Sequence, residues 1–169
     1  GFQIWIDLPE AQRERAPEAL HLAADQVPQV ALPGADVRVV LGQVAGVASP
    51  LTLPTAVSLL DVTMGPNARC ELPLPEAHHA FAFMLGGSVD AGLHRAETGQ
   101  LLRTHADGAL LPLVAGAAGA RFTVFAGAPL LQPRVMQGPF VASHAQQLRR
   151  FAADYAAGRF GSLQPFGSG

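Results

Sequence analysis

The feature of this sequence that most constrains its fold is the regular interruption of short apolar runs by glycine and proline. Residues 65–92 show the pattern most fully. A Gly65-Pro66 turn leads into an apolar run, which meets Gly86-Gly87 and then resumes as a second run. Short apolar runs bounded by turn residues are typical of strands rather than helices. We therefore interpret residues 65–92 as the core hairpin of a sheet, with a break at Gly86-Gly87.

The composition favours an all-β globular fold. The 169 residues include 18 Gly and 14 Pro, with 49% hydrophobic and 14% charged residues. So many turn residues among short apolar runs favour a barrel or sandwich, and the length suits one domain with a sizeable core. We predict about ten short strands, which closure into a barrel would protect from exposed edges.

Charge and cysteine content exclude several classes of function. The formal charge is −2, there is no lysine, and the arginines are scattered, so nucleic-acid binding has little electrostatic basis. No apolar run approaches the roughly 18 residues of a membrane-spanning helix, and no signal peptide is visible. The single cysteine, Cys70, cannot form an intrachain disulfide. We expect a cytoplasmic protein.

The strand predictions cover most of the chain. Residues 2–8 alternate in a β-like way, and we interpret residues 1–8 as a linking strand that follows a barrel further upstream. Residues 20–161 form the predicted barrel plus a helix, and residues 162–169 a frayed tail. Residues 10–18 are predicted to be a solvated loop, and the Gly/Ala-rich residues 115–120 a further loop. The other predicted strands are residues 20–30, 36–43, 55–64, 101–105, 109–114 and 121–126.

The pattern changes to a helical period over residues 143–157. Ser143 and Gln146 match a capping box, and we expect Arg150 and Asp154 to pair on the exposed side. Arg149-Arg150 is interpreted as a solvated helix face, with an acidic partner as the alternative. The predicted apolar stripe consists of Leu148, Phe151, Ala152 and Tyr155.

Motifs at both ends of the chain resemble the pirin family. The opening GFQIWIDLP resembles the segment that follows the family's metal-binding half. The C-terminal part contains G-x-P-L at residues 127–130, G-P-F-V at 138–141 and D-Y-x-x-G-x-F-G at 154–161. Between them, LPLPEAHHAFAFMLGGSVDAG falls where the family has its second strand–turn–strand. The helix start Ala142-Ser143-His144 departs from the family's more frequent Met-Asn-Thr, and Leu131-Gln132 replaces a commonly charged pair.

The resemblance implies a bicupin protein of which this chain is the later part. The expected fold is all-β: a cupin-type (RmlC-like jelly-roll) β-barrel with one C-terminal α-helix packed outside. The family's iron is held by three His and one Glu of the first barrel, and no position here matches those ligands. The implied partner is therefore the preceding cupin barrel of the same protein.

Three functions follow as hypotheses. Some pirins are similar to quercetin 2,3-dioxygenases, so this chain would be the non-catalytic second barrel that supports an iron-binding first barrel. Other pirins act as redox-responsive cofactors of transcription factors, which makes a regulatory, protein-binding module the alternative. A stand-alone cupin with its own small ligand is the second alternative.

The residues themselves argue against a metal or catalytic site in this chain. The metal-ligand candidates are Cys70, Glu71, His78, His79 and His105. A cupin site needs two His at i and i+2 on one strand, whereas the adjacent His78 and His79 point to opposite faces. We predict no metal, cofactor-binding or catalytic residues, with Glu71 and His79 as the remaining metal candidates. We interpret Cys70 as a small buried hydrophobe rather than a nucleophile.

Other residue clusters have structural interpretations. Phe81 and Phe83 share a strand face with His79 and Leu85, which predicts core packing. The alternative is a barrel interior that holds a small aromatic ligand. Gly86-Gly87-Ser88 lacks the Lys-Ser/Thr ending of a phosphate-binding loop and is interpreted as a turn.

Overall fold

A computed structural model describes residues 1–104 and 108–161. The chain divides into two compact units: Pro17–Pro129, and Gly1–Ala16 together with Leu130–Gly169. The candidate ligand His105 and the predicted tail at residues 162–169 lie outside the described residues. No helix in the described part is long and apolar enough to cross a membrane.

The Pro17–Pro129 unit is built almost entirely of antiparallel strands. Its described strands are β1 (Gln29–Leu32), β2 (Ala35–Leu41), β3 (Gln43–Val44), β4 (Val47–Ala48), β5 (Val57–Met64), β6 (Arg69–Pro73), β7 (His79–Ala91), β8 (His94–Glu97), β9 (Leu101–Arg103) and β10 (Leu110–Gly127). The predicted β content of this part of the chain is therefore confirmed.

The long strand β10 is the centre of the main sheet. The strand order is β1-β2-β5-β10-β7-β8, while β6 also pairs with β10 and β9 with β7. Among the described residues no ladder joins β1 to β8, so the hydrogen-bonded ring expected from the edge argument does not close. β3 and β4 form a separate small hairpin.

Alternate residues along the strands form the core. In β5, Ser58, Leu60, Val62 and Met64 are buried while the residues between them are partly or fully exposed. The same period of two runs through β2, β6 and the first half of β7. The fully buried side chains include Val37, Val39, Leu60, Val62, Leu72, Met84, Val89, Leu113, Phe122 and Val124.

Two strands continue through the glycine-rich segments that were predicted to interrupt them. β7 runs past Gly86-Gly87, and β10 runs through residues 115–120. The predicted break and loop are therefore wrong. The β7–β10 register shifts between Ala115 and Ala120 instead, because bulges accommodate the extra residues without ending the ladder. Gly87, with φ of +69°, lies so close to β10 that a Cβ on it would come 2.0 Å from the Gly119 carbonyl oxygen.

The strand predicted at residues 20–30 is largely absent. Only its last two residues belong to β1, and Ala24–Gln26 forms a 3₁₀ turn. Pro28 explains the late start, because proline has no N–H to donate to a ladder. Its carbonyl still accepts a hydrogen bond from the Val39 N–H at 2.8 Å.

The other unit contains the helix of the described chain and a short hairpin. These elements are β11 (Val135–Gln137), β12 (Phe140–Ala142) and α1 (Ala145–Ala156), with a 3₁₀ turn at Glu10–Gln12. α1 packs against β11 and β12. Residues 1–8 form no strand, contrary to prediction. A strand needs a hydrogen-bonding neighbour, and the described residues of this unit provide none for that segment.

The helix begins one or two residues later than predicted. His144 is the N-cap, and its Nδ1 accepts a hydrogen bond from the Gln147 N–H at 3.2 Å. The predicted capping box is wrong because His144, and not Ser143, is the N-cap; the Ser143 hydroxyl accepts a hydrogen bond from Arg13 at 2.7 Å.

The ion pairs on the helix also differ from the prediction. Arg150 pairs with Glu14, and Asp154 with Arg159, both at 2.5 Å, so the expected Arg150–Asp154 pair does not form. Of the predicted apolar stripe only Leu148 is buried. Tyr155 is 63% exposed and packs edge-on to Phe140, at 5.8 Å between ring centroids.

Candidate functional site

The two metal candidates retained from the sequence both have exposed side chains. Glu71 lies between the buried Cys70 and Leu72, and His79 precedes the buried Ala80. Strand alternation therefore directs both away from the core. Among the described residues no group of three or more His, Cys, Asp or Glu side chains is close enough to hold a metal ion. The structure does not bring these candidates into one site.

Cys70 is buried in the core, as predicted. Only 4% of the Cys70 surface is exposed to solvent. Burial raises the pKa of its thiol, and the negative charge of Glu71 raises it further. Because the thiolate is the nucleophile, a buried cysteine with a raised pKa is poorly suited to catalysis.

A cavity lies at one end of the buried sheet face in the Pro17–Pro129 unit. Several of its lining residues are two positions beyond a buried core residue on the same strand or its extension. Leu74 follows Leu72 in this way, Ala91 follows Val89, and Thr104 follows Leu102. The core therefore ends here and leaves a volume of about 420 Å³. We call it the mouth cavity, and it is lined by Leu74, His78, Ala91, Gly92, His94, Leu102, Arg103, Thr104, Gly108, Leu110, Leu111 and Pro112.

His78 is a lining residue of the mouth cavity whose side chain, among the described residues, lacks a hydrogen bond at one ring nitrogen. Its Nδ1 is buried and has no hydrogen-bond partner in the described part of the chain, and burial lowers the pKa of its imidazole. The ring is therefore neutral at neutral pH. The Thr104 hydroxyl donates a hydrogen bond to the Ala80 carbonyl oxygen at 3.2 Å. No carboxylate occurs among the described lining residues.

The opposite side of the sheet carries an exposed cluster of large apolar side chains. Phe81 and Phe125 stack there, with ring centroids 4.7 Å apart. The buried side of β7 is formed instead by Ala80, Ala82 and Met84. The prediction that Phe81 and Phe83 pack in the core is wrong, because both sides of β7 are apolar and the smaller side chains face inward. We call this surface the aromatic face, and it consists of Leu59, Phe81, Phe83, Leu85, Leu101 and Phe125.

Arg13 organises the other unit, although sequence reasoning assigned it to a solvated loop. Its side chain is only 4% exposed. The guanidinium donates to both carboxylate oxygens of Asp7, to the Leu8 and Pro133 carbonyls, and to the Ser143 hydroxyl. These partners are far apart in sequence, so no local pattern signals the network.

Comparison with known proteins places this geometry in a family. Residues 59–161 match the pirin C-terminal cupin domain. Pirin-like protein 2 of Arabidopsis thaliana is 27% identical over 169 residues, covering 95% of this chain and 53% of the relative. A Pseudomonas aeruginosa protein named as a candidate quercetin 2,3-dioxygenase is 26% identical, covering 94% and 56%.

A solved structure confirms the predicted cupin-type, all-β fold class. The crystal structure of a quercetin 2,3-dioxygenase from Acinetobacter baumannii superposes with a TM-score of 0.83 at 24% identity. The match covers 95% of this chain and 56% of that one. The chain thus spans little more than half the length of the relatives it matches. It belongs to the pirin family and contains the family's C-terminal cupin domain.

Proposed function

We propose that this chain is the non-catalytic second cupin barrel of a pirin-like protein, and that it supports an iron-binding first barrel preceding it in the same protein. The aromatic face is the observation that carries this proposal. Phe81 and Leu85 are each 38% exposed, and Leu101 is 55% exposed. Contiguous apolar surface of this kind marks an interaction site in a soluble protein.

The borders of the aromatic face fit a protein interface. Interfaces typically have an aromatic centre and a polar rim in which arginine is frequent. Arg103 is the β9 partner of Phe81. Further along the sheet, Asp61 forms ion pairs with Arg121 at 3.1 Å and with Arg38 at 3.7 Å. The face therefore combines an apolar centre with a charged margin.

The first residues of the chain, in the unit formed by Gly1–Ala16 and Leu130–Gly169, carry exposed apolar side chains that a partner could cover. Ile4, Trp5 and Ile6 are between 38% and 67% exposed. Among the described residues, this segment forms no hydrogen-bonded ladder within its unit. A strand from a partner could therefore pair with its backbone and cover its large apolar side chains.

In this proposal the chemistry belongs to the whole protein. The name of one relative suggests quercetin 2,3-dioxygenase activity, and the first barrel would hold the iron that such an activity needs. This chain would close one side of that site and keep the first barrel in place. Its single, buried Cys70 and the expected reducing environment fit a cytoplasmic protein.

Flavonol turnover tests whether the activity requires the first barrel in addition to this chain. The chain alone, supplied with Fe²⁺, should consume quercetin no faster than Fe²⁺ without protein, whereas the same chain joined to the segment encoded upstream of Gly1 should consume quercetin much faster. Turnover by the chain alone would overturn the proposal, as would an upstream gene region that encodes no cupin barrel.

Metal analysis provides an independent control. Iron bound by the purified chain should be far below one equivalent and unchanged in Glu71→Gln and His79→Gln. Stoichiometric iron that either substitution removes would assign a metal site to this barrel instead.

A regulatory, protein-binding module is the second candidate, and the same aromatic face favours it. The two functions differ in what covers the face. In the extended protein, Phe81→Ser should loosen the contact between barrels if the first barrel covers it. If the face is free, Phe81→Ser should instead abolish capture of a separate protein partner without changing flavonol turnover.

A further inference from the structure

We propose that the mouth cavity is a binding site for a small, uncharged aromatic molecule that carries a hydroxyl group. This inference concerns only the Pro17–Pro129 unit. It does not depend on an upstream barrel or on iron, so it stands or falls separately from the proposed function.

The size and lining of the mouth cavity fit such a molecule. Small-molecule sites usually have volumes of about 300–1,000 Å³ and mostly apolar walls with a few polar groups. The mouth cavity has about 420 Å³, and Leu74, Leu102 and Leu111 contribute apolar walls. Because these leucines continue the buried strand face, an aromatic ring here would extend the core outward.

The polar groups in the mouth cavity can hydrogen-bond to a hydroxyl. His78 has a buried Nδ1 that finds no partner among residues 1–104 and 108–161, and such groups are rare enough in folded proteins to need an explanation. A neutral imidazole has one donor and one acceptor nitrogen, and a hydroxyl can match either. His94 adds a second imidazole at the rim. The Thr104 oxygen still has capacity to accept a hydrogen bond.

The charges around the mouth cavity favour an uncharged ligand. Burying an ion without a partner is costly. Arg103 is the one arginine among the described lining residues. It lies next to the buried Leu102 on β9, so alternation directs its side chain toward Phe81 on the other side of the sheet. Among the described lining residues, neither a carboxylate nor an inward-facing arginine therefore compensates a charged ligand.

Titration with 1-naphthol, followed by amide NMR of the full chain, tests the proposal. Saturable shifts are expected at Ala91, Leu102 and Leu111. His78→Leu should raise the Kd about fivefold, which is the loss expected for one hydrogen bond. The matched control is His79→Leu, because His79 is adjacent but exposed on the opposite side, and its Kd should match that of the unsubstituted chain.

Two further measurements keep the test decisive if His78→Leu folds poorly. Ala91→Trp fills the mouth cavity and should abolish the saturable shifts while the spectrum retains its native dispersion. 1-Naphthoate, which has the same ring system but a charged carboxylate, should bind at least tenfold more weakly. The proposal is overturned if no saturable shifts occur or if the shifts centre on Phe81 and Phe125. It is also overturned if His78→Leu and His79→Leu change the Kd for 1-naphthol equally, or if 1-naphthoate binds as tightly as 1-naphthol.

Discussion

Phe81 and Phe125 stack on the exposed side of the sheet, with ring planes inclined by 19°, while Met84 on the same strand β7 is fully buried. The two sides of one apolar strand therefore have different roles. The inner side packs the core, and the outer side carries partly exposed aromatic side chains.

The first prediction compares truncations on the two sides of β7. Phe81→Ala should lower the free energy of unfolding by about 1 kcal/mol, since it removes a partly exposed stacked pair. Met84→Ala should cost about 3 kcal/mol, because it opens a cavity in a packed core. Urea denaturation of the chain measures both. A larger loss for Phe81→Ala would contradict the assigned orientation of β7.

The second prediction concerns the bulge between β7 and β10. Gly87→Ala should destabilise the fold by about 3 kcal/mol, because the added Cβ meets the Gly119 carbonyl and φ is positive. Gly86→Ala is the matched control: its Cβ would meet no atom within 4 Å, so a change within about 0.5 kcal/mol is expected. Thermal unfolding distinguishes the two, and equal effects would refute the close approach.

The third prediction concerns Arg13. Arg13→Lys cannot reproduce the bonds to Asp7, Leu8, Pro133 and Ser143, and should destabilise its unit by about 2 kcal/mol or more. Circular dichroism at 222 nm reports the melting of α1. Arg149→Lys on the exposed helix surface is the control and should leave the melting curve unchanged. Identical melting of the two variants would show that the network contributes little.

The fourth prediction concerns the reactivity of Cys70. Because burial raises its pKa and denies access, modification by a thiol-specific disulfide reagent at pH 8 should be slow in the native chain and complete in urea. The labelling rate should increase with urea concentration. Rapid labelling in the absence of urea would contradict the buried position and reopen a role for this thiol.

The fifth prediction concerns pH and His78. Burial lowers the pKa of this group from its ordinary value of 6.5, so the native state binds fewer protons than the unfolded state below pH 6.5. Protonation of His78 does not affect the free energy of unfolding above pH 6.5. That free energy falls as the pH drops from 6.5 toward the folded-state pKa. His78→Leu should therefore lose less stability than the unsubstituted chain between pH 7.5 and pH 5. His79→Leu should retain the original pH dependence, and identical profiles of the two variants would contradict this assignment.

Local sequence could predict only part of the geometry around His78 and His79. The adjacency of His78 and His79 predicted opposite faces on one strand, whereas β7 begins at His79 and His78 lies just before it. The adjacency could not show which histidine lies at the mouth cavity. That assignment needs the neighbouring strands, which bring Leu74, Leu102 and Leu111 beside His78.

The sequence by itself determined the all-β class, most strand positions, the C-terminal helix and the family, since each follows from local periodicity, turn residues or short motifs. Only the tertiary structure decided which side of β7 is buried, because both sides are apolar and local sequence does not distinguish them. It also decided that β7 and β10 continue through their glycines, since bulges form only against a paired strand. The helix cap is His144 and not Ser143, whose hydroxyl accepts a hydrogen bond from Arg13, distant in sequence. Residues 65–92 predicted a hairpin, which is wrong: among the described strands β6 and β7 do not pair with each other, and each pairs with β10 instead.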